Sequence, residues 1–124
     1  MSAPAVPDRR SMLGSWVPVV TWAAVIFAFS SVPSLSTELG TWDTILRKLA
    51  HLAEYAILGA LLARALRHPA VAVVLAGLYA VSDELHQTFV EGRVGAPLDV
   101  AIDTLGALLG VLAWAYVVRR RELA

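Results

Sequence analysis

Cysteine is absent from this chain, and charged residues are scarce. Because none of its 124 residues is cysteine, disulfides, thiolate nucleophiles and cysteine-ligated metals are excluded. Charged residues make up only 16% of the sequence, whereas 58% of the residues are hydrophobic and the mean hydropathy is +0.68. A soluble domain of this size carries more charge and fewer apolar residues. The composition therefore predicts an integral membrane protein.

Four apolar segments predict an all-α fold in which four helices cross the membrane as a bundle. Short stretches rich in polar residues, proline or glycine separate them, at 32–44, around Pro69 and at 91–96. We expect the helices at about residues 13–31, 45–67, 69–90 and 97–118. Together they form one membrane domain over residues 13–118.

The first apolar segment has a competing interpretation, a cleaved signal peptide. Arg9 and Arg10 would form the basic start of such a peptide, and Ala28-Phe29-Ser30 resembles a cleavage site. The apolar run over residues 13–31 is long for a signal peptide. It is also long enough to cross a hydrocarbon core of about 30 Å, so we favour a transmembrane helix.

Charge is distributed unevenly along the predicted bundle, although the net charge is zero. Seven of the ten basic residues lie in the N-terminal tail (1–12), the basic C-terminal tail (119–124) or the turn near Arg67, and eight of the ten acidic residues lie at the opposite end. Basic residues favour the cytoplasmic side of a membrane. We therefore expect a multi-pass protein of the cytoplasmic membrane with both termini in the cytoplasm. The same border positions disfavour nucleic-acid binding.

Polar side chains are concentrated at the other end, where the second helix begins, the third ends and the fourth begins. Ionisable groups at membrane depth are rare and usually face a bundle interior or a water-filled cavity, so they indicate a functional site. We expect one pocket beneath the outer membrane face. Its six principal and three secondary residues are His51, Glu84, Gln87, Arg93, Asp99 and Asp103, then Lys48, Glu54 and Tyr55.

Helical spacing predicts which side chains on the second and fourth helices share a face. Lys48, His51 and Tyr55 follow an i, i+3, i+7 pattern. Asp99 and Asp103 are four residues apart, which also places them on one face. Gly106 and Gly110 continue that stripe as a G-x-x-x-G motif, which typically allows close helix packing.

The third helix carries two polar pairs at i, i+3 spacing. Glu84 and Gln87 form one pair, and Asp83 and His86 form another on a face rotated by about 100°. Only one of these faces can point fully at the bundle axis. We expect it to be the face of Glu84 and Gln87, with Asp83 and His86 paired locally near the membrane interface.

Several motifs together resemble those of the VanZ-like membrane proteins. They are FAFSS at 27–31, KLAHLAEYAILG at 48–59, DELHQTFVEGR at 83–93 and DVAIDTLGALLG at 99–110. The resemblance implies a small multi-spanning protein of a family named for a teicoplanin-resistance factor, with its polar signature on the six principal residues above. Two positions depart from the family pattern, because Glu91 stands where proline is frequent and Asp103 where asparagine is usual.

Carboxylates outnumber the cations that face them, which leaves three chemical interpretations. An internal ion-pair lattice would only stabilise polar helix ends. Crowded acids also suit proton exchange or general acid–base chemistry. A divalent cation would relieve the same crowding, and His51 and Glu54 have the i, i+3 spacing of metal sites in helix bundles. Without a second such motif we expect no cofactor beyond a loosely held hard cation.

Three functions from different classes remain. The first is binding of a lipid-linked or cell-envelope ligand, such as a cell-wall precursor or a lipoglycopeptide, which the resemblance links to glycopeptide resistance. The second is an enzyme acting on an outer-leaflet lipid, with His51 or Glu84 as acid or base and Arg93 as an anion clamp. The third is a structural or accessory membrane protein. We favour binding, because Ser82 and Thr88 lack a relay and no catalytic set is complete. The pattern does not indicate an oligomeric state.

Overall fold

The computed structural model describes residues 9–31, 41–90 and 97–123, with side chains from residue 12 in the first range and from residue 45 in the second. Within these ranges the chain forms four α-helices and no strand: α1 (Arg9–Ser30), α2 (Thr41–Leu66), α3 (Pro69–Gln87) and α4 (Pro97–Leu123). The predicted all-α bundle is confirmed.

Several helix boundaries differ from the sequence prediction. α1 begins at Arg9 and α2 at Thr41, both earlier than expected, and α3 ends at Gln87. α4 continues to Leu123 instead of ending at 118. Arginine and glutamate are good helix formers, and cations near a helix C-terminus interact favourably with its dipole. The basic segment therefore extends α4.

The connection between α2 and α3 is a tight turn with an uncommon backbone conformation. Arg67 has a positive φ of 56°, in the left-handed region that usually holds glycine after a helix. Its N–H donates to the Ala63 carbonyl at 2.8 Å, which ends α2. His68 then caps α3, because its Nδ1 accepts from the Val71 N–H at 3.3 Å, and Pro69 occupies the first helical turn.

Three helices contain an apolar span long enough to cross a membrane, at Met12–Ser30, Ile45–Leu66 and Pro97–Leu123. α3 is not among them, and its last turns carry Asp83, Glu84 and Gln87. Large apolar side chains face outward, such as Leu78 (61% exposed) and Leu112 (56% exposed). A soluble monomer rarely exposes so much apolar surface, which supports a membrane protein.

α2 is the central helix, since it packs against α1, α3 and α4. Its most extensive contact is with α4. Contacts pair Leu52 with Gly106 and Ala56 with Gly110, so residue numbers rise together and the two helices run parallel. α3 runs antiparallel to both, because His51 of α2 lies near Asp83 while Tyr55, further along α2, lies against Tyr79.

Glycines bring the α2 and α4 backbones into direct contact. A Cβ added to Gly59 would lie 2.9 Å from Ala107 Cα, and one added to Gly106 would lie 3.1 Å from Leu52 Cα. At Gly110 it would overlap the Ala56 carbonyl. Close backbone approach at small residues is a common way for membrane helices to associate. The predicted packing motif is therefore in contact with α2.

α1 packs more loosely than the other helices. Trp22 Nε1 donates to the Glu54 carbonyl at 2.8 Å, and Tyr79 Oη donates to the Ala23 carbonyl at 2.5 Å, so α1 is attached to α2 and α3. Ile26 is its one fully buried large side chain among those described. In the described part of the chain, the backbones of α1 and α4 do not approach each other.

Candidate functional site

Three acid–base side chains, one from each of three helices, meet inside the bundle. His51 comes from α2, Asp83 from α3 and Asp103 from α4, and one ligand atom of each lies within 4.8 Å of the other two. His51 Nδ1 lies 3.2 Å from Asp103 Oδ1. Asp103 is 0% exposed and Asp83 is 3% exposed. We call these three residues the buried triad.

The glycine contacts place α4 in the register that forms this triad. Gly106 lies three residues after Asp103, on nearly the same face, and contacts Leu52 of α2. Because α2 and α4 are parallel and nearly touching, the residue before Leu52 faces Asp103. A larger residue at Gly106 would separate His51 from Asp103.

Tyr55, one helical turn after His51 on α2, is hydrogen-bonded to the triad. It is completely buried, and its hydroxyl donates to Asp83 Oδ2 at 3.2 Å. Its ring lies against that of Tyr79, with centroids 6.2 Å apart. Sequence reasoning placed Tyr55 among the secondary site residues, and the structure makes it the partner of Asp83.

A second ion pair lies about one turn nearer the end of the bundle. Lys48 Nζ lies 2.8 Å from Asp99 Oδ1, and the two side chains are 40% and 25% exposed. This pair, the buried triad and the buried Gln87 at the end of α3 together form what we call the polar end. Side-chain exposure decreases from Lys48 to Asp103, so the polar end has an accessible outer pair and a buried inner triad.

Asp83 is the site residue that sequence reasoning placed wrongly. Both polar pairs of α3 face the interior at least in part, since Asp83, Glu84 and Gln87 are all buried. A usable signal was present in the alanine stripe of α3, Ala72, Ala76 and Ala80, which are all 0% exposed. Continuing that stripe by three or four residues reaches Asp83 and Glu84 together.

The predicted pairing of Asp83 with His86 was wrong. The His86 ring stacks on Phe27 of α1, with centroids 4.3 Å apart, and its Nε2 lies 3.4 Å from Ser31 Oγ. Asp83 instead turns toward Tyr55 of α2. Residues three apart on a helix differ in direction by about 60°, which is enough for two neighbouring helices to separate them.

Comparison with known families identifies the chain. The model of the VanZ/LLP1 family matches residues 5–119. This protein belongs to the VanZ/LLP1 family. No curated protein and no solved structure matches it. The resemblance seen in the sequence motifs is thus confirmed over most of the chain.

Arg93 and Glu54 are two further predicted site residues of this VanZ-family protein. Arg93, expected to be an anion clamp, lies outside the described residues, as does the neighbouring Glu91. Glu54 is described, and its main-chain carbonyl accepts from Trp22. The spacing of His51 and Glu54 left a metal site open as an alternative, and the structure gathers His51 with an acid from α3 and an acid from α4.

Several buried polar atoms of the VanZ-family bundle have no hydrogen-bond partner among the described residues. They include one oxygen each of Asp83 and Asp103, the Oδ1 and Oδ2 atoms respectively, and Gln87 Nε2. A buried polar group without a partner costs about 1–3 kcal/mol, and more when it is charged. The site therefore has hydrogen-bond acceptors and a donor that could bond to a group outside the described residues.

Proposed function

We propose that this VanZ-family protein binds the headgroup of a lipid-linked cell-envelope ligand at its polar end. One observation supports this proposal most strongly, namely the buried atoms of Asp83, Asp103 and Gln87 that lack partners among the described side chains. A structural ion-pair lattice would be expected to satisfy its own members, because incomplete polar networks are less stable than apolar packing. A ligand that forms hydrogen bonds with these atoms would satisfy them.

The proposed ligand has chemistry that suits both levels of the site. Hydroxyl and amide groups of a sugar or peptide headgroup would bond to Gln87 and to the buried carboxylates. Lys48, which is 40% exposed beside Asp99, is accessible to a phosphate that links such a headgroup to its lipid. Binding of a cell-wall precursor would change its exposure to drugs, which is how we connect the site with glycopeptide resistance.

We also propose that the polar end faces outward and the basic end faces the cytoplasm, as the arginine distribution suggests. The lack of cysteine makes this simple to test, since a single introduced thiol is the only one present. We expect a membrane-impermeant maleimide to label Leu98→Cys on intact cells and Leu123→Cys only after lysis. The reverse pattern would contradict this orientation.

Ligand binding is tested with the full chain in nanodiscs. The probe is a polyprenyl-diphosphate-linked disaccharide peptide, and binding is measured by native mass spectrometry and by titration of a fluorescent analogue. We expect Asp103→Asn to weaken binding by at least about tenfold, since a buried charged contact contributes roughly 1.5–3 kcal/mol. The control Glu122→Gln makes the same change of charge at an exposed site near the other end of α4.

Two outcomes would overturn the binding proposal. One is the absence of binding by well-folded wild-type protein. The other is equal binding by the Asp103→Asn and wild-type proteins, which would leave the polar cluster with a structural role.

Enzymatic chemistry is the second candidate, and the contact between His51 and Asp103 favours it. A carboxylate that orients an imidazole is a recurrent feature of acid–base sites. Ser82 on α3 and Thr88, which follows its last residue, are exposed, and Thr88 Oγ1 donates to the Leu85 carbonyl. The reaction would therefore use water as the nucleophile. Mass spectrometry of the same lipid after incubation separates the candidates, because hydrolysis yields a product and binding alone does not.

A further inference from the structure

The charge of the buried triad is not balanced by its own members. Asp83 and Asp103 are buried, and His51 contributes at most one positive charge. Tyr55, which bonds to Asp83, is neutral, and Lys48 is bonded to Asp99 nearer the surface. Transfer of an uncompensated carboxylate into a low-dielectric interior costs several kcal/mol. Among the described residues nothing supplies this compensation, so the triad needs a bound proton or a further cation.

The positions of the ligand atoms suit one small cation. Two ligands bound about 2.1 Å from a tetrahedral or octahedral ion lie about 3.0–3.4 Å apart. His51 Nδ1 and Asp103 Oδ1 are 3.2 Å apart. All three ligand atoms lie within 4.8 Å of one another, so a shift of Asp83 by at most about 1–2 Å would bring it into the same coordination sphere.

The unpartnered oxygens provide a second and independent indication. Asp83 Oδ1 and Asp103 Oδ2 are buried and accept no hydrogen bond from any described residue. Tyr55 holds the other oxygen of Asp83, which fixes the carboxylate orientation. A hydrogen bond that orients a ligating carboxylate is a typical feature of metal sites.

We propose that His51, Asp83 and Asp103 together bind one divalent transition-metal ion. One imidazole and two carboxylates suit Zn²⁺ or Mn²⁺ better than Mg²⁺ or Ca²⁺, which prefer oxygen ligands alone. The ion uses Nδ1 of His51 and one oxygen from each aspartate. Three protein ligands leave at least one coordination position open, as in catalytic zinc sites.

This inference deepens the proposed function, because the ion occupies the deepest part of the site proposed for the envelope ligand. Its open position faces the ligand and accepts an oxygen from phosphate or sugar. It also revises the sequence expectation of a loosely held hard cation near His51 and Glu54. Asp83 supplies the ligand that the spacing on one helix could not provide.

The test uses the full chain in nanodiscs, stripped with a chelator, with no lipid-linked ligand present. Titration with ZnCl₂ or MnCl₂ by calorimetry, with metal content measured by mass spectrometry, should give one ion per chain. MgCl₂ should bind at least about tenfold more weakly. Asp83→Asn and Asp103→Asn should each weaken Zn²⁺ binding by about tenfold or more, judged against the 10–100-fold effects of outer-shell changes alone.

Matched controls make the same chemical changes elsewhere. Glu122→Gln removes an exposed carboxylate, and His68→Asn removes an exposed imidazole while retaining a good helix cap. Both should keep the wild-type affinity within about twofold. Loss of affinity in the controls as large as that in the aspartate variants would overturn the proposal, as would the absence of stoichiometric binding to wild-type protein.

A spectroscopic measurement needs no variant, so it remains decisive if the aspartate substitutions prevent folding. Co²⁺ bound to the wild-type protein should give the visible absorption of a nitrogen- and oxygen-ligated ion, and Zn²⁺ should displace it. A spectrum equal to that of aqueous Co²⁺ would overturn the proposal. Metal binding without lipid binding would reject only the proposed function, and lipid binding without metal would reject only this inference.

Discussion

The two ends of the bundle carry charge in different ways. At the polar end, α2, α3 and α4 direct His51, Asp83 and Asp103 inward, and both aspartates are buried. At the other end, which we call the basic end, the arginines whose side chains the structure describes are exposed. A cavity of about 860 Å³ at this end is lined by Trp114, Val118 and three of these arginines, Arg64, Arg67 and Arg119.

Under the proposed orientation and function, the arginines would set the topology and the buried carboxylates would form the binding site. Arginines at a membrane border keep their hydration and contribute to orientation at little cost. Buried carboxylates lose hydration and destabilise the bundle unless something compensates them. The polar end is therefore the more informative region, although the chain has equal numbers of basic and acidic residues, ten of each.

The largest expected effect comes from breaking the α2–α4 contact that buries the polar end. Gly110→Leu would force the helices apart, because even a Cβ would lie 2.8 Å from Ala56 Cα. We expect a loss of about 3 kcal/mol in unfolding free energy, as for severe overpacking. Thermal unfolding in detergent and the monodisperse fraction measure it. Gly14→Leu is the control, since that site has nothing within 4 Å, and equal behaviour of the two would contradict the packing.

A smaller effect is expected when Asp83 loses its hydrogen bond from the Tyr55 hydroxyl. Tyr55→Phe removes the hydroxyl that donates to Asp83 and leaves that buried oxygen without a partner. We expect metal-free protein to lose about 1–3 kcal/mol. Tyr116→Phe removes a hydroxyl from a residue that is 62% exposed and should change the unfolding midpoint very little. Equal midpoints for the two variants would show that Asp83 does not depend on Tyr55.

One substitution at the basic end should stabilise the protein instead of destabilising it. Arg67→Gly relieves a left-handed backbone conformation and should stabilise the protein by about 1 kcal/mol. Arg64→Gly makes the same replacement within α2, where glycine should destabilise by up to about 1 kcal/mol. Chemical or thermal unfolding of both variants checks the opposite signs. Destabilisation by both would place a needed side-chain contact at Arg67.

The smallest effect concerns the accessible ion pair. A double-mutant cycle with Lys48→Met and Asp99→Asn should give a coupling energy of about 0.2–1 kcal/mol, because both side chains are partly exposed. The coupling should also fall as salt is added. A value above about 2 kcal/mol that does not respond to salt would place this pair in a dry interior, like the triad below it.

Most of the fold follows from local patterns in the sequence. Apolar runs longer than a hydrocarbon core predict helices wherever the chain has them, and Gly106 and Gly110 predict a close helix contact. The boundaries were less accurate, as the extension of α4 to Leu123 shows, since arginines both flank a membrane and propagate a helix. The VanZ-like motifs also indicated the family, which the match over residues 5–119 confirms.

Two members of the buried triad were among the candidate residues chosen from the sequence, but Asp83 was not. Spacing along one helix identified His51 on α2 and Asp103 on α4 as site residues, and the structure brings them to 3.2 Å. Spacing along one helix could not decide which face of α3 points into the bundle, because Asp83 and Glu84 differ by only about 100° around the helix axis. That rotation depends on where Ala72, Ala76 and Ala80 pack, which is a property of neighbouring helices.

The amino-acid sequence by itself determined that the chain forms apolar helices, that its charges separate into a basic and an acidic end, and that its polar groups lie on a few helical faces. These properties are local, since they depend on hydropathy and on 3.6 residues per turn. Only the tertiary structure decided that His51, Asp83 and Asp103 form one cluster. Their meeting depends on the rotation of three helices about their axes, and close contacts between residues distant in sequence determine that rotation.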